Sequence, residues 1–185
     1  MDTPVLARGP MVSIRKLKLD DLAAIVPFEY SVSIAEPHSD LARLREIHQE
    51  SGMWLADSGA VAIVLNADER MVGTLQFYRS APCIHGFEIG YVLHSSDDRG
   101  KGYAGAALQL LSELLFSLRS DIYRHQLIIE VWNTASWKVA ERAGFVREGI
   151  LRSCGFGKGD PADCFVYSRT GKDHGQAQAS HNGPA

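Results

Sequence analysis

The feature that most constrains this chain is a strand, a glycine-rich turn and a long helix in direct succession. The pattern of Phe87–Leu93 predicts a strand, the run GKGYAG occupies Gly100–Gly105, and Lys101–Leu118 repeats apolar residues at helical spacing. A glycine-rich turn at a helix start presents main-chain N–H groups without internal partners, and the helix dipole adds about half a positive charge there. Arg99 and Lys101 add further charge at the rim. The segment therefore predicts a phosphate or diphosphate site, and a helix start without a ligand is the alternative.

The segments around this unit alternate between strand and helix patterns. Antiparallel strands come first and one strand–helix–strand unit lies in the middle, so we predict a mixed α/β fold. The predicted strands are Val12–Leu17, Ala60–Leu65, Met71–Phe77, Phe87–Leu93, Gln126–Val131, Phe145–Leu151 and Asp163–Ser168; the predicted helices are Leu22–Phe28, one opened by Ser39-Asp40, Lys101–Leu118 and Thr134–Ala143. We expect one domain over residues 11–170, with a flexible arm over 1–10. Residues 171–185 have almost no large apolar side chain to offset their ordering entropy, so we expect a disordered tail there.

The composition excludes several classes of protein. Of 185 residues, 19 are basic and 22 acidic, and this net charge of −3 argues against a nucleic-acid partner, which would require an excess of basic residues. No window has the roughly 18 consecutive apolar residues of a membrane span. The N-terminus lacks a signal-peptide pattern, so we expect a cytoplasmic protein without a membrane partner. Cys83, Cys154 and Cys164 lack the spacing of a zinc site, and we expect reduced thiols and no metal.

Two kinds of phosphate-binding fold could use the glycine-rich turn. The letters GKGYAG match the G-x-G-x-x-G pattern of dinucleotide-binding folds. In those folds the first glycine follows the strand almost directly, whereas here the six residues His94–Arg99 intervene and antiparallel strands come first. A dinucleotide-binding enzyme is therefore the weaker alternative.

A second pattern fits the order and spacing of the motifs better. Arg99-x-x-Gly102-x-Ala104 opens the long helix, and the later motifs are Asn133-x-x-Ser136, Ala143-Gly144-Phe145 and Glu148-Gly149. In this order the motifs resemble the GNAT superfamily of N-acetyltransferases, and within it the branch of ribosomal-protein N-terminal (alanine/serine) acetyltransferases. The resemblance extends over most of the chain, from about Val12 to Arg169.

The resemblance implies a fold, a co-substrate and a reaction. The GNAT-like fold would have a central mixed, mostly antiparallel sheet of about seven strands, splayed between Phe87–Leu93 and Gln126–Val131, and about four flanking helices. Acetyl-CoA would be the co-substrate, and its acetyl group would pass directly to a primary amine of a small molecule or of a protein N-terminus. We expect acceptor choice to depend on Phe28–His38 and Arg152–Tyr167. No metal is implied, and the sequence leaves a homodimer open.

The same motifs imply which residues bind acetyl-CoA. The main chain of the strand before the turn would pair with the pantetheine arm, and the N–H groups of the turn would bind the diphosphate. Asn133 would hydrogen-bond pantetheine, and its alternative role is to cap the helix that follows it. The implied cofactor-binding residues are Tyr91, Val92, Leu93, Arg99, Gly100, Lys101, Gly102, Tyr103, Ala104, Gly105 and Asn133.

Two side chains are candidates for the chemistry that the resemblance implies. Glu88 lies on the strand where many members place a carboxylate that acts as base, often through water, and its alternative is an ordinary solvent-facing residue. Ser136 would lie near the sulfur and orient the thiolate or a water, or it is only a polar residue of a first helical turn. The tyrosine that serves as acid in many members is absent, because Ala140 occupies its position. The main-chain N–H near Val92 or Leu93 is the expected donor to the carbonyl oxygen. An inactive acyl-CoA-binding or sensor module is the main alternative function.

Overall fold

The structure, a computed structural model, describes residues 4–25, 41–157 and 160–175 and has a mixed α/β fold around one sheet. The eight strands of these described residues are β1 (Val5–Arg8), β2 (Val12–Lys16), β3 (Ser58–Leu65), β4 (Met71–Arg79), β5 (Gly86–Leu93), β6 (Arg124–Glu130), β7 (Val146–Gly157) and β8 (Asp160–Thr170). Their order in the sheet is β1-β2-β3-β4-β5-β6-β8-β7. β5 and β6 run parallel, and their ladder ends at the pair Glu88↔Gln126 although both strands continue. The predicted fold is confirmed, with one strand more than the seven expected.

Helices connect these strands where the sequence predicts them. The α-helices of the described residues are α1 (Leu22–Ile25), α2 (Leu41–Ser51), α3 (Tyr103–Leu118) and α4 (Thr134–Arg142), with short 3₁₀ helices at Leu19–Asp21 and Ser96–Asp98. The predicted helix over 22–28 is confirmed as far as Ile25. The Phe28–His38 segment, which we expected to contribute to acceptor choice, lies outside the described residues.

Parts of the predicted arm and of the predicted tail, residues 5–8 and 171–175, have secondary structure. Residues 5–8 form β1, which pairs antiparallel with β2, and Asn66 Nδ2 donates to the main-chain oxygen of Gly9 at 2.7 Å. Residues 171–175 form a helical turn after β8, where the N–H and the hydroxyl of Thr170 both donate to Asp173 Oδ2 at 2.7 Å. A strand of four residues is stabilised by pairing with its neighbour, so its own sequence does little to predict it. Residues 176–185 of the predicted tail lie outside the described residues.

The chain divides into two compact units. The first comprises Met1–Phe77 and Gly90–Leu110, and the second comprises Tyr78–Ile89 and Leu111–Ala185. One domain over residues 11–170 stays a prediction. The core cluster of the first unit consists of apolar side chains from the segment after β2, from α1, from α2 and from β3. Full burial of one large apolar side chain stabilises the folded state by about 1.5–3 kcal/mol. The buried members of the cluster are Leu17, Leu22, Ile25, Leu44, Ala62 and Val64.

The core of the second unit includes a buried histidine. β6 alternates, so that His125, Leu127 and Ile129 are buried while Gln126 on the opposite face is half-buried. The His125 ring stacks on Phe116 with the centroids 3.9 Å apart, and its Nδ1 lies 2.9 Å from Ser112 Oγ. Burial, aided by the positive charge of nearby Arg169, lowers the pKa of His125 to about 3, so this side chain is neutral at pH 7.

Three further findings concern membranes, metals and thiols. No helix among residues 4–25, 41–157 and 160–175 is long and apolar enough to cross a membrane. Those same ranges contain no group of three or more His, Cys, Asp or Glu side chains that could hold a metal ion. The cysteines are free thiols, with Cys83 and Cys154 exposed and Cys164 buried.

Candidate functional site

The glycine-rich turn between β5 and α3, here called the glycine loop (Gly100–Gly105), contains two residues in the left-handed region. The Ser95 hydroxyl accepts a hydrogen bond from Asp97 N–H at 3.2 Å and so caps the 3₁₀ helix that precedes the loop. Gly100 has φ of +75° and Gly102 has φ of +86°. Residues with a Cβ rarely adopt such values, so the main-chain path itself requires glycine at both positions.

The main-chain N–H groups of the glycine loop lack acceptors within the described part of the chain. Among residues 4–25, 41–157 and 160–175, those from Gly100 to Gly105 donate to no acceptor, and the next N–H, that of Ala106, bonds to Gly102 O at 3.0 Å. Gly100, Lys101 and Gly102 are exposed, and a Cβ added at Gly100 would meet no atom within 4 Å. These donors lie at the positive end of a 16-residue helix, so the donor set fits a diphosphate group.

An ion pair anchors the chain just before the glycine loop. Asp98 is buried, and Arg70 donates to both of its carboxylate oxygens, at 2.8 and 2.9 Å. Those bonds, with the nearby charge of Lys101 as a smaller contribution, hold the pKa of Asp98 below its usual value. Arg99 and Lys101 are exposed at the rim of the loop, as expected. Sequence reasoning missed Arg70, because its pairing with Asp98 spans 28 residues of chain.

The end of β5 carries the main-chain groups that the resemblance assigns to pantetheine and to the carbonyl oxygen. Tyr91, Val92 and Leu93 are half-buried there. The N–H of His94 donates to Val72 O on β4 at 2.9 Å. Because alternate residues of a strand direct their N–H groups to the same side, the N–H of Val92 also faces β4 and that of Leu93 faces away from it. Of the two expected donors to the carbonyl oxygen, Leu93 is therefore the better oriented.

Glu88 is held by donors from both neighbouring strands. It is half-buried on β5, between the buried Phe87 and Ile89, as the alternation predicts. Tyr78 Oη on β4 donates to Glu88 Oε1 at 2.6 Å, and Gln126 Nε2 on β6 donates to Oε2 at 3.0 Å. Burial, together with this bond to Glu88, raises the pKa of Tyr78, so the phenol stays protonated and remains a donor. The environment differs from that of an ordinary solvent-facing glutamate.

Sequence reasoning missed Tyr78 and Gln126. Each lies at an alternating position of its strand, but which residue of a neighbouring strand lies beside Glu88 depends on the register. The register between β5 and β6 is fixed by only three residue pairs, of which Glu88↔Gln126 is the last. No local pattern in the sequence gives that pairing.

The start of α4 positions the two remaining candidates. Asn133 Oδ1 accepts a hydrogen bond from Ser136 N–H at 3.2 Å, which confirms the capping role. Its Nδ2 has no acceptor within the part of the chain that the structure describes, so a ligand role is compatible with capping. Ser136 is half-buried in the first turn. Ala140 is fully buried, and its methyl side chain cannot act as an acid.

Comparison with known families then decides what kind of protein this is. The model of the acetyltransferase (GNAT) domain matches residues 12–146. The chain belongs to this family. Its members use acetyl-CoA as co-substrate, and this GNAT chain is accordingly an acyltransferase of the acetyl-CoA:amine N-acetyltransferase type. The resemblance predicted from the motifs is confirmed, and the dinucleotide-binding alternative is not supported by the family or by the mostly antiparallel sheet.

The proteins similar to this chain include two whose names give different acceptors. An uncharacterized N-acetyltransferase of Bacillus licheniformis is 25% identical over 164 residues, which cover 85% of this chain and 91% of the relative. The ribosomal-protein-serine acetyltransferase of Escherichia coli is 31% identical over 102 residues, covering 55% of this chain and 56% of the relative. The structure of a spermidine/spermine N-acetyltransferase from Vibrio cholerae aligns with a TM-score of 0.71 and 18% identity, covering 94% of this chain and 98% of that one. This last likeness concerns the fold.

Proposed function

We propose that this GNAT enzyme transfers an acetyl group from acetyl-CoA directly to a primary amine, and that the glycine loop binds the diphosphate of acetyl-CoA. The observation that carries the proposal is the set of loop N–H groups without an acceptor among the described residues. Oriented main-chain donors at a helix N-terminus bind phosphates well because the helix dipole favours negative charge there. The exposed side chains of Arg99 and Lys101 would add positive charge at the rim of the same loop.

We assign the remaining cofactor contacts to main-chain and amide groups. The main chain of Tyr91 and Leu93 is directed away from β4 and would pair with the pantetheine arm, whereas Val92 faces β4. Tyr103 and Ala104, the first residues of α3, would contribute their N–H groups to the diphosphate. The Asn133 Nδ2 would donate to pantetheine while its Oδ1 caps α4.

Glu88 is the proposed base. Bound acetyl-CoA supplies a thioester; transfer forms an N–C bond, breaks the C–S bond, removes a proton from the amine and adds one to the thiolate. A carboxylate has about four lone-pair sites, and the structure uses two of those on Glu88. The others can accept the proton of the amine, directly or through one water. The Leu93 N–H would stabilise the carbonyl oxygen, and the Ser136 hydroxyl would orient the thiolate or a water that protonates it.

The experiment mixes the protein with acetyl-CoA and an amine and follows the appearance of free CoA thiol. The amines are spermidine and a short peptide with N-terminal serine, the two acceptor classes that the relatives suggest. We expect thiol release above the amine-free control with at least one of them. Tight binding of acetyl-CoA without release for any amine would instead identify an acyl-CoA-binding module. Thermal stabilisation by NAD but not by CoA would contradict the proposal altogether.

A further inference from the structure

We propose that Tyr78 and Gln126 are positioning residues that hold the carboxylate of Glu88 in a fixed orientation for its role as base. The proposal deepens the proposed function and rests on it. It concerns six side chains of the second unit, here called the Glu88 network. They are Tyr78, Glu88, Arg124, Gln126, Glu148 and Ser168.

The first argument is the direction of the two hydrogen bonds to Glu88. Both donors are neutral, come from different strands, and reach different oxygens of the carboxylate, at 2.6 and 3.0 Å. A glutamate side chain loses considerable rotamer freedom when it is fixed, and two donors on opposite flanks supply that restraint. The carboxylate of Glu88 is therefore held in one orientation before any ligand binds.

The second argument is that Gln126 is itself oriented. Its amide could present either the oxygen or the nitrogen to Glu88, and only the nitrogen donates. Arg124 Nη2 lies 3.5 Å from Gln126 Oε1, so the positive guanidinium attracts the amide oxygen and leaves Nε2 directed at Glu88. At that distance the contact is mainly electrostatic. Arg124 thus selects the useful orientation of the amide.

The third argument is that Arg124 is fixed in turn. It donates to both carboxylate oxygens of Glu148, at 3.1 and 2.8 Å, and Ser168 Oγ donates to Glu148 Oε1 at 2.6 Å. The bonds from Arg124 and Ser168 lower the pKa of Glu148, so this partner is ionised at neutral pH. The Glu148-Gly149 motif, to which the sequence assigned no role, thereby gains one: its carboxylate holds the residue that orients Gln126.

The test measures the order of the Glu88 side chain by ¹³C NMR relaxation in protein without ligands. Tyr78→Phe and Gln126→Met each delete one donor, and Tyr123→Phe is the matched control because Tyr123 is 63% exposed in the same unit. We expect the order parameter of the Glu88 side chain to fall by about 0.2 in each of the first two variants and to stay unchanged in the control.

An unchanged order parameter of Glu88 in Tyr78→Phe and Gln126→Met, with only a loss of thermal stability, would overturn the proposal and leave these residues a structural role. A second readout uses turnover on the Glu88→Gln background, where adding Tyr78→Phe should cause no further loss of rate. The inference and the proposed function fail separately. The NMR measurement needs neither acetyl-CoA nor an amine, whereas full turnover by Glu88→Gln would refute the base assignment and leave the NMR result unchanged.

Discussion

The glycine loop and the Glu88 network position their polar groups by different means. The loop presents main-chain N–H groups along a path with two positive φ angles, and the side chain of Lys101 lies exposed at its rim. The network offers one carboxylate whose orientation depends on side chains from β4 and β6. The positions of main-chain donors change only when a substitution alters the conformation of the chain. A side-chain hydrogen bond, in contrast, is removed by one conservative substitution. The two regions should therefore respond differently to the same kind of substitution.

The largest expected effect falls on the network. Glu88→Gln keeps the shape of the side chain and removes its basicity, so kcat should fall about 100-fold, within the range for loss of a general base. Affinity for acetyl-CoA, which we assign to the loop, should stay unchanged. Steady-state kinetics with a calorimetric titration of CoA measures both quantities. Glu46→Gln, a substitution of an exposed residue on α2, serves as control. If Glu88→Gln also lost affinity for CoA, the separate roles of the two regions would be contradicted.

Acid should weaken the core next to the network. The pKa of His125 is about 3 in the folded protein and near 6.5 in an unfolded chain, so the unfolded state binds more protons between these values. Stability is therefore full above about pH 6.5 and declines as the pH falls towards 3, by about 2 kcal/mol at pH 5. Urea unfolding at pH 7 and pH 5 measures the change.

The variant His125→Gln isolates this effect, because His94 also has a pKa lowered by burial and titrates in the same direction. The loss of unfolding free energy between pH 7 and pH 5 should be about 2 kcal/mol smaller in His125→Gln than in the wild type. Equal losses in the two proteins would show that His125 is not the acid-sensitive group.

Replacing a glycine of the loop by a residue that disfavours positive φ should weaken the binding of CoA. Gly102→Val places a β-branched residue at φ of +86°, which costs about 1–2 kcal/mol and shifts the loop away from its binding path. The affinity for CoA should fall about tenfold, with kcat at saturating acetyl-CoA little changed. Gly52→Val is the matched control, since Gly52 has φ of +61°, belongs to the same unit and has no atom within 4 Å of an added Cβ. Equal CoA affinity in the two variants would remove the loop from the binding site.

The smallest effect should come from the ion pair that supports the loop. Arg70→Gln removes the charge that pairs with Asp98, and Arg70 is 50% exposed, so the pair is partly screened by solvent. We expect KM for acetyl-CoA to rise about threefold while kcat stays constant. Arg43→Gln, which removes an exposed ion pair on α2, should leave KM unchanged. A fall in kcat without a change in KM would place the effect of Arg70 outside cofactor binding.

The same contrast explains what could be predicted from the sequence. The glycine loop and the long helix α3 depend on local residue types, and the sequence located both within a few residues. The partners of Glu88 and Asp98 could not be predicted, because Gln126 and Arg70 are 38 and 28 residues away from them and meet them only through strand register and tertiary structure. Likewise β1 is stabilised by pairing with β2, and the sequence of its four residues alone does not predict a strand.

The most direct measurement of the central claim follows the main-chain amide resonances of the protein by ¹H–¹⁵N NMR as CoA is added. If the glycine loop binds the diphosphate, the amide signals of Gly100–Gly105 should show some of the largest shifts, saturating together with the calorimetric binding curve. The account is contradicted if CoA saturates the protein while these six signals stay at their original positions.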